Sequence, residues 1–352
     1  MARYGALAYG KAVSNYPLSY RLTWLPRLLH PSLRGFRPES RPTPRDPGER
    51  PADAVRLVFF GDLSAVANDA PPMIDWDLRT LFGGADMIVG NCESPVVERP
   101  AAPFATALGL KHAMDAALLA DALAAAGIDP GKTVLSVANN HALDQDVAGL
   151  EASRAAIEAI GARVAGLAGV PTVLADVGGL SVAVDAHSAW RNAGASKFAR
   201  HVRTAPDPSP PTAELHCALP HWDWEFRHFP QTETREAARR LRATGTRLVV
   251  GGHAHVLQPV ERRGDALVAY GLGDFLGTAW PRVRWPLRIG GLLVVDIATQ
   301  GAARGTILDH ALVPFVRLRE GRRERLLPAA DAPARLRVRV AARLDAVLGP
   351  AG

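Results

Sequence analysis

Residues Leu248-Val-Val-Gly-Gly-His-Ala-His255 show the pattern that decides the fold, a short apolar run followed by side chains that bind metals. Four other short apolar runs end in polar residues of the same kind. They are Arg56-Leu-Val-Phe-Phe-Gly-Asp62, Met87-Ile-Val-Gly-Asn-Cys-Glu93, Val134-Leu-Ser-Val-Ala-Asn-Asn-His141 and Leu215-His-Cys-Ala-Leu-Pro-His221. Such runs are typical of strands buried on both faces. We therefore predict five strands, each with candidate ligands after its carboxyl end.

Alanine-rich segments of helical character separate several of these runs, notably residues 113–126, 147–160 and 233–244. Strands that alternate with helices predict an α/β protein. In such sheets the loops after the carboxyl ends of the strands lie along one edge, where ligands bind. Candidate ligands that are far apart in the chain are therefore expected to meet in one cleft.

The side chains expected in this cleft are Asp, Glu, Asn and His, which together suit a divalent metal such as Mn, Fe or Zn. Several have simpler explanations. Asp62 follows a glycine and could cap a helix, Asn139-Asn140 could form a turn, and a lone His221 could be structural. His253 and His255 are stronger candidates, because an extended segment places residues two apart on the same side. The coincidence of five such strand ends favours a metal site.

Composition excludes several other classes of protein. Apolar residues make up 48% and charged residues 22% of the chain, as in a soluble globular protein. The two cysteines, Cys92 and Cys217, are too few for a disulfide scaffold or a four-cysteine zinc site. No apolar run approaches the ~18 residues of a transmembrane helix, and no secretory signal is recognisable. We therefore expect a cytoplasmic protein.

The net charge of +6 resides at the two ends of the chain. Residues 1–50 contain nine Lys/Arg and three Asp/Glu, and residues 317–343 contain the same numbers. The body between them is slightly acidic, so nucleic acid is not an expected partner. For residues 1–50 we expect either a solvated or loosely docked arm or a peripheral contact with an anionic membrane or an acidic partner.

The same segments suggest a division of the chain into three parts. Residues 40–52 are rich in proline and polar side chains, which predicts a linker. Residues 331–348 place leucine, valine and alanine at helical spacing opposite arginine, which predicts a closing amphipathic helix. We therefore predict a basic arm with its linker (1–52), a central domain (53–316) and a basic C-terminal extension (317–352).

The polar residues at these strand ends resemble those of the CapA family, capsule and poly-γ-glutamate synthesis proteins related to calcineurin-like metallophosphatases. The matching motifs keep the family's order and span about residues 56–277. They are Gly61-Asp62, Asn91-Cys-Glu93, Ala138-Asn-Asn-His-Ala-Leu-Asp144, His221-Trp-Asp-Trp-Glu-Phe226, Gly251-Gly-His-Ala-His255 and Tyr270-Gly-Leu-Gly-Asp-Phe275. The resemblance implies a metallophosphatase-like four-layer α/β/β/α sandwich with a cleft for two divalent metals.

The resemblance also implies roles for individual residues. Glu93 would bridge the two metals. Asn140, His221 and His253 would complete one site, and Asp62 and His255 the other. His141 would be the acid/base group, oriented by Asp144. Glu225 would either support the ligands from behind or contact substrate, and Asn91 would contact an anionic small-molecule or polymer substrate. Apart from the resemblance, the basic, loop-like segment 187–203 is expected to be either a lid that faces the substrate, with Arg191 and Lys197 as anion contacts, or an ordinary solvated loop.

Three positions depart from the family's pattern. Ser64 stands where the wider metallophosphatases have a histidine, which the capsule branch also lacks, so the metal held by Asp62 is expected to be the weaker one. Asp223 stands where the family usually has glycine, and Asp274 where it usually has asparagine. The last two changes bear on substrate contacts.

These residues are compatible with three functions. Two metals can activate water, so the favoured function is a metal-dependent hydrolase of a phosphoester or of a polyanionic capsule or poly-γ-glutamate substrate. A second is exopolymer assembly without turnover. A third is metal-assisted proton transfer of the epimerase type on a peptide or carboxylate. Fold analogy does not choose among them.

Overall fold

The computed structural model describes residues 14–35, 47–65, 68, 70–101, 103–107, 111–277, 283–321 and 323–349. The helices in these ranges are α1 (Leu18–Leu29), α2 (Trp76–Gly83), α3 (Pro103–Ala107), α4 (Ala116–Ala126), α5 (Asp146–Ala159), α6 (Ala195–His201), α7 (Thr232–Ala243) and α8 (Ala334–Leu348). The strands are β1 (Ala54–Leu63), β2 (Met73–Ile74), β3 (Met87–Asn91), β4 (Thr133–Ser136), β5 (Arg163–Ala165), β6 (Val173–Val177), β7 (Leu180–Ser188), β8 (Leu215–His221), β9 (Leu248–Val250), β10 (Val260–Arg263), β11 (Ala266–Ala269), β12 (Asp274–Leu276), β13 (Ile289–Ala298), β14 (Ile307–Glu320) and β15 (Arg323–Pro328). The five predicted strands (β1, β3, β4, β8 and β9) and the four predicted helices (α4, α5, α7 and α8) are thus confirmed.

The strands form two sheets. Within the described ranges, one sheet has the order β2-β15-β14-β13-β1-β3-β4-β5, with β12 also paired to β1, and the other has the order β10-β11-β9-β8-β7-β6. The neighbours β1, β3, β4 and β5 run parallel, as do β7, β8, β9 and β11. Their carboxyl ends therefore point to one edge of each sheet, and the candidate ligands lie at these edges.

The alternation of side chains along β8 shows how the layers pack. Cys217 and Leu219 belong to the large core cluster, which contains apolar residues of both sheets. Ala218, between them, belongs to a smaller cluster with Leu241 of α7 on the outer face. One face of the strand therefore packs between the sheets and the other packs under a helix. The predicted α/β/β/α sandwich is confirmed.

Gly61 lies where the backbone of β1 passes close to the chain that leads into β12. A Cβ on this residue would lie 1.7 Å from the carbonyl oxygen of Gly273, which also accepts a hydrogen bond from the amide of Asp62 at 3.1 Å. No side chain fits there unless β1 moves away from the chain that leads into β12. The glycine therefore allows two acidic residues, Asp62 and Asp274, to lie side by side.

We expect Gly61→Ala to lower the free energy of unfolding by about 3 kcal/mol, the upper end of the cost of overpacking. Urea denaturation measures this change. The matched control is Gly83→Ala at the end of α2, where an added Cβ meets no atom within 4 Å and alanine favours the helix. Equal stability of the two variants would contradict the close approach.

The predicted C-terminal extension is part of the central domain. Residue 317 lies within β14, and β15 pairs with β14 from Phe315–Pro328 to Glu320–Arg323. Arg317 itself is 1% exposed. The predicted boundary at residue 317 was based on the basic composition of this segment. In the structure, one of its arginines is paired with carboxylates in the core, and several others lie on the solvent side of a core strand.

The described part of the N-terminal arm is docked on the body. Helix α1 packs on the body, where Tyr20 and Arg27 are buried and Trp24 and Leu28 pack against Phe226. Residues 1–13 of the arm and 40–46 of the predicted linker lie outside the described residues. None of the described helices combines the length and the apolar content needed to cross a bilayer.

Candidate metal centre

The pairing of β1 with its two parallel neighbours, β3 and β12, positions the first residue of the site, Asp62. Asp62 is paired with Asn91 of β3 on one side and with Asp274 of β12 on the other. Asn91 Nδ2 donates to Asp62 Oδ1 at 2.8 Å, and the amide of His253 donates to Asp62 Oδ2 at 3.0 Å. Asp62 is thus held at the strand end by two donors, and it does not cap a helix.

Four ligand-bearing side chains meet beside Asp62. The ligand atoms of Asp62, Glu93, His255 and Asp274 all lie within 4.8 Å of one another, and the same holds for Glu93, His253 and His255. His255 Nδ1 is 2.7 Å from Asp274 Oδ1, 3.7 Å from Glu93 Oε2 and 3.8 Å from Asp62 Oδ2. Three carboxylates and two imidazoles therefore surround one small volume.

The charges in this volume fit a divalent cation. Burial and the neighbouring charge of Glu93 raise the pKa of Asp62 to about 6. Burial lowers the pKa of His255, but Glu93 and Asp274 outweigh it and raise that pKa well above its ordinary value. Buried carboxylates at such short range repel each other unless a positive charge lies between them. Metal ions provide that charge in many proteins.

His253 gives a second reason for the fit. Its side chain is fully buried, and neither Nδ1 nor Nε2 has a hydrogen-bond partner among the described residues. Burial lowers its pKa well below the ordinary value, so the ring is neutral and carries a lone pair. Glu93 Oε1 is likewise buried and accepts no well-aligned hydrogen bond, although His221 Nε2 lies 3.3 Å away. Buried polar atoms without partners are costly, and a metal would satisfy both.

His221 and Asn140 lie on the other side of Glu93. His221 Nε2 is 2.8 Å from Asn140 Oδ1 and 3.3 Å from Glu93 Oε1. The rings of His221 and His253 have their centroids 4.8 Å apart. The structure therefore brings together all six residues predicted as metal ligands and places Glu93 between the two predicted groups.

The prediction that His253 and His255 lie on an extended segment is wrong, although the two side chains do approach the same site. Both residues have positive φ, 84° and 53°, so the segment is not extended. Left-handed backbone is unfavourable for side chains larger than glycine and is found at sites that fix a side chain. Asp223, with φ of 65°, shares this conformation, which explains why glycine suits that position.

Asp274 is the residue whose position the sequence reasoning misjudged. The aspartate at this position was expected to affect substrate contacts more than the metal site, whereas its Oδ1 lies beside His255 and its Oδ2 accepts from Arg317 Nη2 at 3.0 Å. Arg317 Nη1 also donates to both carboxylate oxygens of Glu324 at 3.0 Å. The motif Leu272-Gly-Asp274 repeats the apolar–Gly–Asp pattern that identified Asp62, and this signal could have found it.

Ser64 contacts the central carboxylate directly, since its hydroxyl donates to Glu93 Oε2. The residue that stands in place of a metallophosphatase histidine thus orients the predicted bridging ligand. The lower metal affinity expected on the Asp62 side remains a prediction.

The predicted acid/base pair is formed in the structure. His141 Nδ1 is 2.6 Å from Asp144 Oδ2, and the His141 ring stacks on that of His112 with centroids 3.6 Å apart. The amide of His112 also donates to Asp144 Oδ2 at 2.8 Å. Burial lowers the pKa of His141, but Asp144 and Glu93 raise it above its ordinary value. Because Asp144 holds Nδ1, Nε2 is the atom available for proton transfer.

The three residues predicted to contact substrate are engaged by other residues of the protein. Asn91 orients Asp62, as described above. Glu225 accepts a hydrogen bond from Trp24 Nε1 of α1, and its carbonyl accepts from Arg27 Nε at 2.9 Å. The amide of Arg191 donates to Asn15 Oδ1 at 3.0 Å, and its side chain is half-buried. The segment 187–203 contains α6, and Lys197 is paired with Asp146.

Helix α1 and the residues before it cover the site, which the sequence did not indicate. The ring of Tyr16 stacks on those of Tyr20, Trp190 and His253, with centroids 4.4, 4.9 and 6.0 Å apart. Burial and the charge of Glu225 raise the pKa of Tyr16 well above its ordinary value, so its hydroxyl is neutral. An aromatic wall therefore stands directly over His253.

Two curated proteins are similar to this chain in sequence. PGA biosynthesis protein CapA of Bacillus subtilis (strain 168) is 25% identical over 230 residues, which cover 59% of this chain and 57% of that protein. Capsule biosynthesis protein CapA of Bacillus anthracis is 26% identical over 114 residues, 30% of this chain and 28% of that protein. The chain thus spans little more than half the length of the first relative and less of the second.

Two solved structures are similar at low identity. A hypothetical protein from Thermus thermophilus matches with a TM-score of 0.42 and 14% identity, covering 74% of this chain and 99% of that one. A novel phosphatase from Mycoplasma pneumoniae matches with a TM-score of 0.40 and 11% identity, covering 75% and 94%.

The family described as bacterial capsule synthesis protein PGA_cap matches residues 57–279, more than half of the chain. This range begins within β1 and ends shortly after β12, so it includes every residue that we assign to the metal centre. The motif resemblance to CapA proteins is thereby confirmed, and the chain belongs to the PGA_cap family of bacterial capsule synthesis proteins.

Proposed function

We propose that the protein is a metal-dependent hydrolase that acts on a phosphoester or on a polyanionic substrate related to capsule or poly-γ-glutamate. The observation that carries the proposal is the buried group of Asp62, Glu93, His253, His255 and Asp274, with both nitrogens of His253 unsatisfied by the described residues. The substrate class follows from the names of the CapA relatives, which concern capsule and PGA biosynthesis.

In this proposal the chain's own residues have separate tasks. The carboxylates and imidazoles hold the metals, with Glu93 between the two ligand groups. When bound, divalent metals would neutralise an anionic substrate and activate water for attack. His141, held through Nδ1 by Asp144, would give a proton from Nε2 to the leaving group. Burial of the site excludes bulk water and strengthens these interactions.

Exopolymer assembly without turnover is the second candidate, and the cover formed by α1 favours it. Trp24 occupies one carboxylate oxygen of Glu225, and Tyr16 stands over His253. A substrate that must reach the metals would have to displace these contacts. A metal-stabilised binding protein would not need to open.

The deciding experiment is an assay of purified protein against a panel of phosphoesters and poly-γ-glutamate, with and without added Mn, in water enriched in oxygen-18. Metal-dependent cleavage that places the heavy oxygen in the product supports the hydrolase. Metal binding without cleavage supports assembly. Exchange of solvent deuterium into an uncleaved substrate would support epimerase-like chemistry instead.

Metal content provides a separate prediction. We expect about one tightly held metal and a second that exchanges, because Ser64 replaces a potential imidazole ligand on the Asp62 side and leaves His255 as the one predicted imidazole there. Metal analysis after gel filtration should show partial occupancy of the second site, restored by excess metal. Two equivalents that survive dialysis against a chelator would contradict this division.

A further inference from the structure

Helix α1 has two faces of opposite character. Tyr20 and Arg27 are buried against the body, with 3% and 6% of their surface exposed. Leu18, Leu22, Leu25 and Leu29 are 65%, 70%, 56% and 40% exposed. Their spacing of four, three and four residues places these leucines along one side of the helix, opposite Tyr20 and Arg27. We refer to the four leucines as the leucine stripe.

The contacts of the inner face fix the orientation of the stripe. Trp24 and Arg27 are hydrogen-bonded to Glu225, and the guanidinium carbon of Arg27 lies 4.8 Å from the ring centroid of Tyr20 and 4.9 Å from that of Trp224. The helix cannot turn its leucines inward without breaking these interactions. Contiguous exposed apolar side chains are uncommon on soluble monomeric proteins, and where they occur they often mark an interaction surface.

The charge around the stripe favours an anionic lipid surface over other occupants. In residues 14–35, which include α1, Arg21 and Arg34 are exposed and there is no Asp or Glu. Arg343 of α8 donates to the carbonyl of Pro31 at 3.3 Å, which places α8 beside the segment that follows α1. The same helix exposes Arg335, Arg337 and Arg339. An exposed apolar stripe on a helix whose charged residues are basic is typical of helices that lie in a membrane interface.

We propose that the leucine stripe docks on an anionic lipid bilayer. The apolar side chains enter the acyl boundary, and the neighbouring arginines contact the headgroups. Since α1 also covers the metal centre, the centre lies about one helix diameter, ~10 Å, from the bilayer surface. This proposal does not depend on which reaction the metal centre performs.

The test is co-sedimentation of the full chain with vesicles of phosphatidylcholine alone and of phosphatidylcholine with phosphatidylglycerol. We expect binding to the anionic vesicles only, and loss of binding as salt rises from about 0.05 M to about 0.5 M. The double variant Leu22→Asp/Leu25→Asp should bind at least about tenfold more weakly. The matched control Leu174→Asp alters a leucine of β6 that is 51% exposed and should bind as the unaltered protein does.

Four outcomes would overturn the proposal. The unaltered protein could fail to bind anionic vesicles, or the double variant could bind equally well. Light scattering could show a dimer that the double variant dissociates, which would assign the stripe to a second copy of the chain. A melting temperature that falls in the double variant but not in the control would show that another part of the chain covers the leucines.

A charge variant provides a second, independent measurement. Arg21→Glu/Arg34→Glu leaves the stripe intact and alters two exposed arginines beside it. We expect this variant to lose its binding to anionic vesicles and to melt at the temperature of the unaltered protein. Undiminished binding to anionic vesicles would overturn the role of charge.

Discussion

His253→Ala is expected to lose bound metal, whereas His141→Ala is expected to keep its metal and lose turnover. His253 is buried with both ring nitrogens unsatisfied beside Glu93, as expected of a ligand. His141 is bound to Asp144 through Nδ1, as expected of a group that transfers a proton. Losing a positioned proton donor typically lowers the rate about 10²–10⁴-fold.

Metal analysis and steady-state kinetics on the same preparations separate these two roles. The matched control is His216→Ala, because His216 lies on β8 with His221 and is absent from both ligand groups. It should retain both metal and turnover. Equal loss of metal from the His141 and His253 variants would contradict the assigned roles, since it would make His141 a ligand too.

Arg317→Met should lower the free energy of unfolding by about 3–5 kcal/mol, the cost of breaking a buried ion pair by removing one partner. The side chain of Arg317 is 1% exposed and is bonded to both Asp274 and Glu324. Arg288 Nη1, 3.4 Å from Glu324 Oε1, can relieve only part of the remaining charge. Asp274 would be left with His255 as its cationic partner.

Urea denaturation measures this loss, and metal analysis shows whether the centre that contains Asp274 still binds metal. The control is Arg325→Met on the neighbouring strand β15, where the side chain is exposed and the expected change is within about 0.5 kcal/mol. A loss for Arg317→Met as small as that of the control would show that the buried carboxylates do not need the arginine.

The local sequence pattern predicted much of this fold. Short apolar runs such as Met87-Ile-Val89 are typical of buried strands. Capping residues set the ends of the helices between them. Asp115 accepts from the amide of Leu118 at the start of α4, and Gly127, with φ of 72°, ends the helix. Because parallel strands share one edge, the same pattern also indicated that Asp62, Glu93 and the histidines would meet.

Other features depended on contacts between residues that are distant in the chain. Arg317 looks like part of a solvated basic tail until β14 places it between Asp274 and Glu324. Tyr16 and Trp24 look like part of a loose arm until α1 packs across the metal centre. Charge and hydropathy report how a residue interacts with water, but they do not report which partner replaces that water. The sequence by itself therefore determined the layers and the ligand-bearing edge, and only the tertiary structure decided which charges are buried together and what covers them.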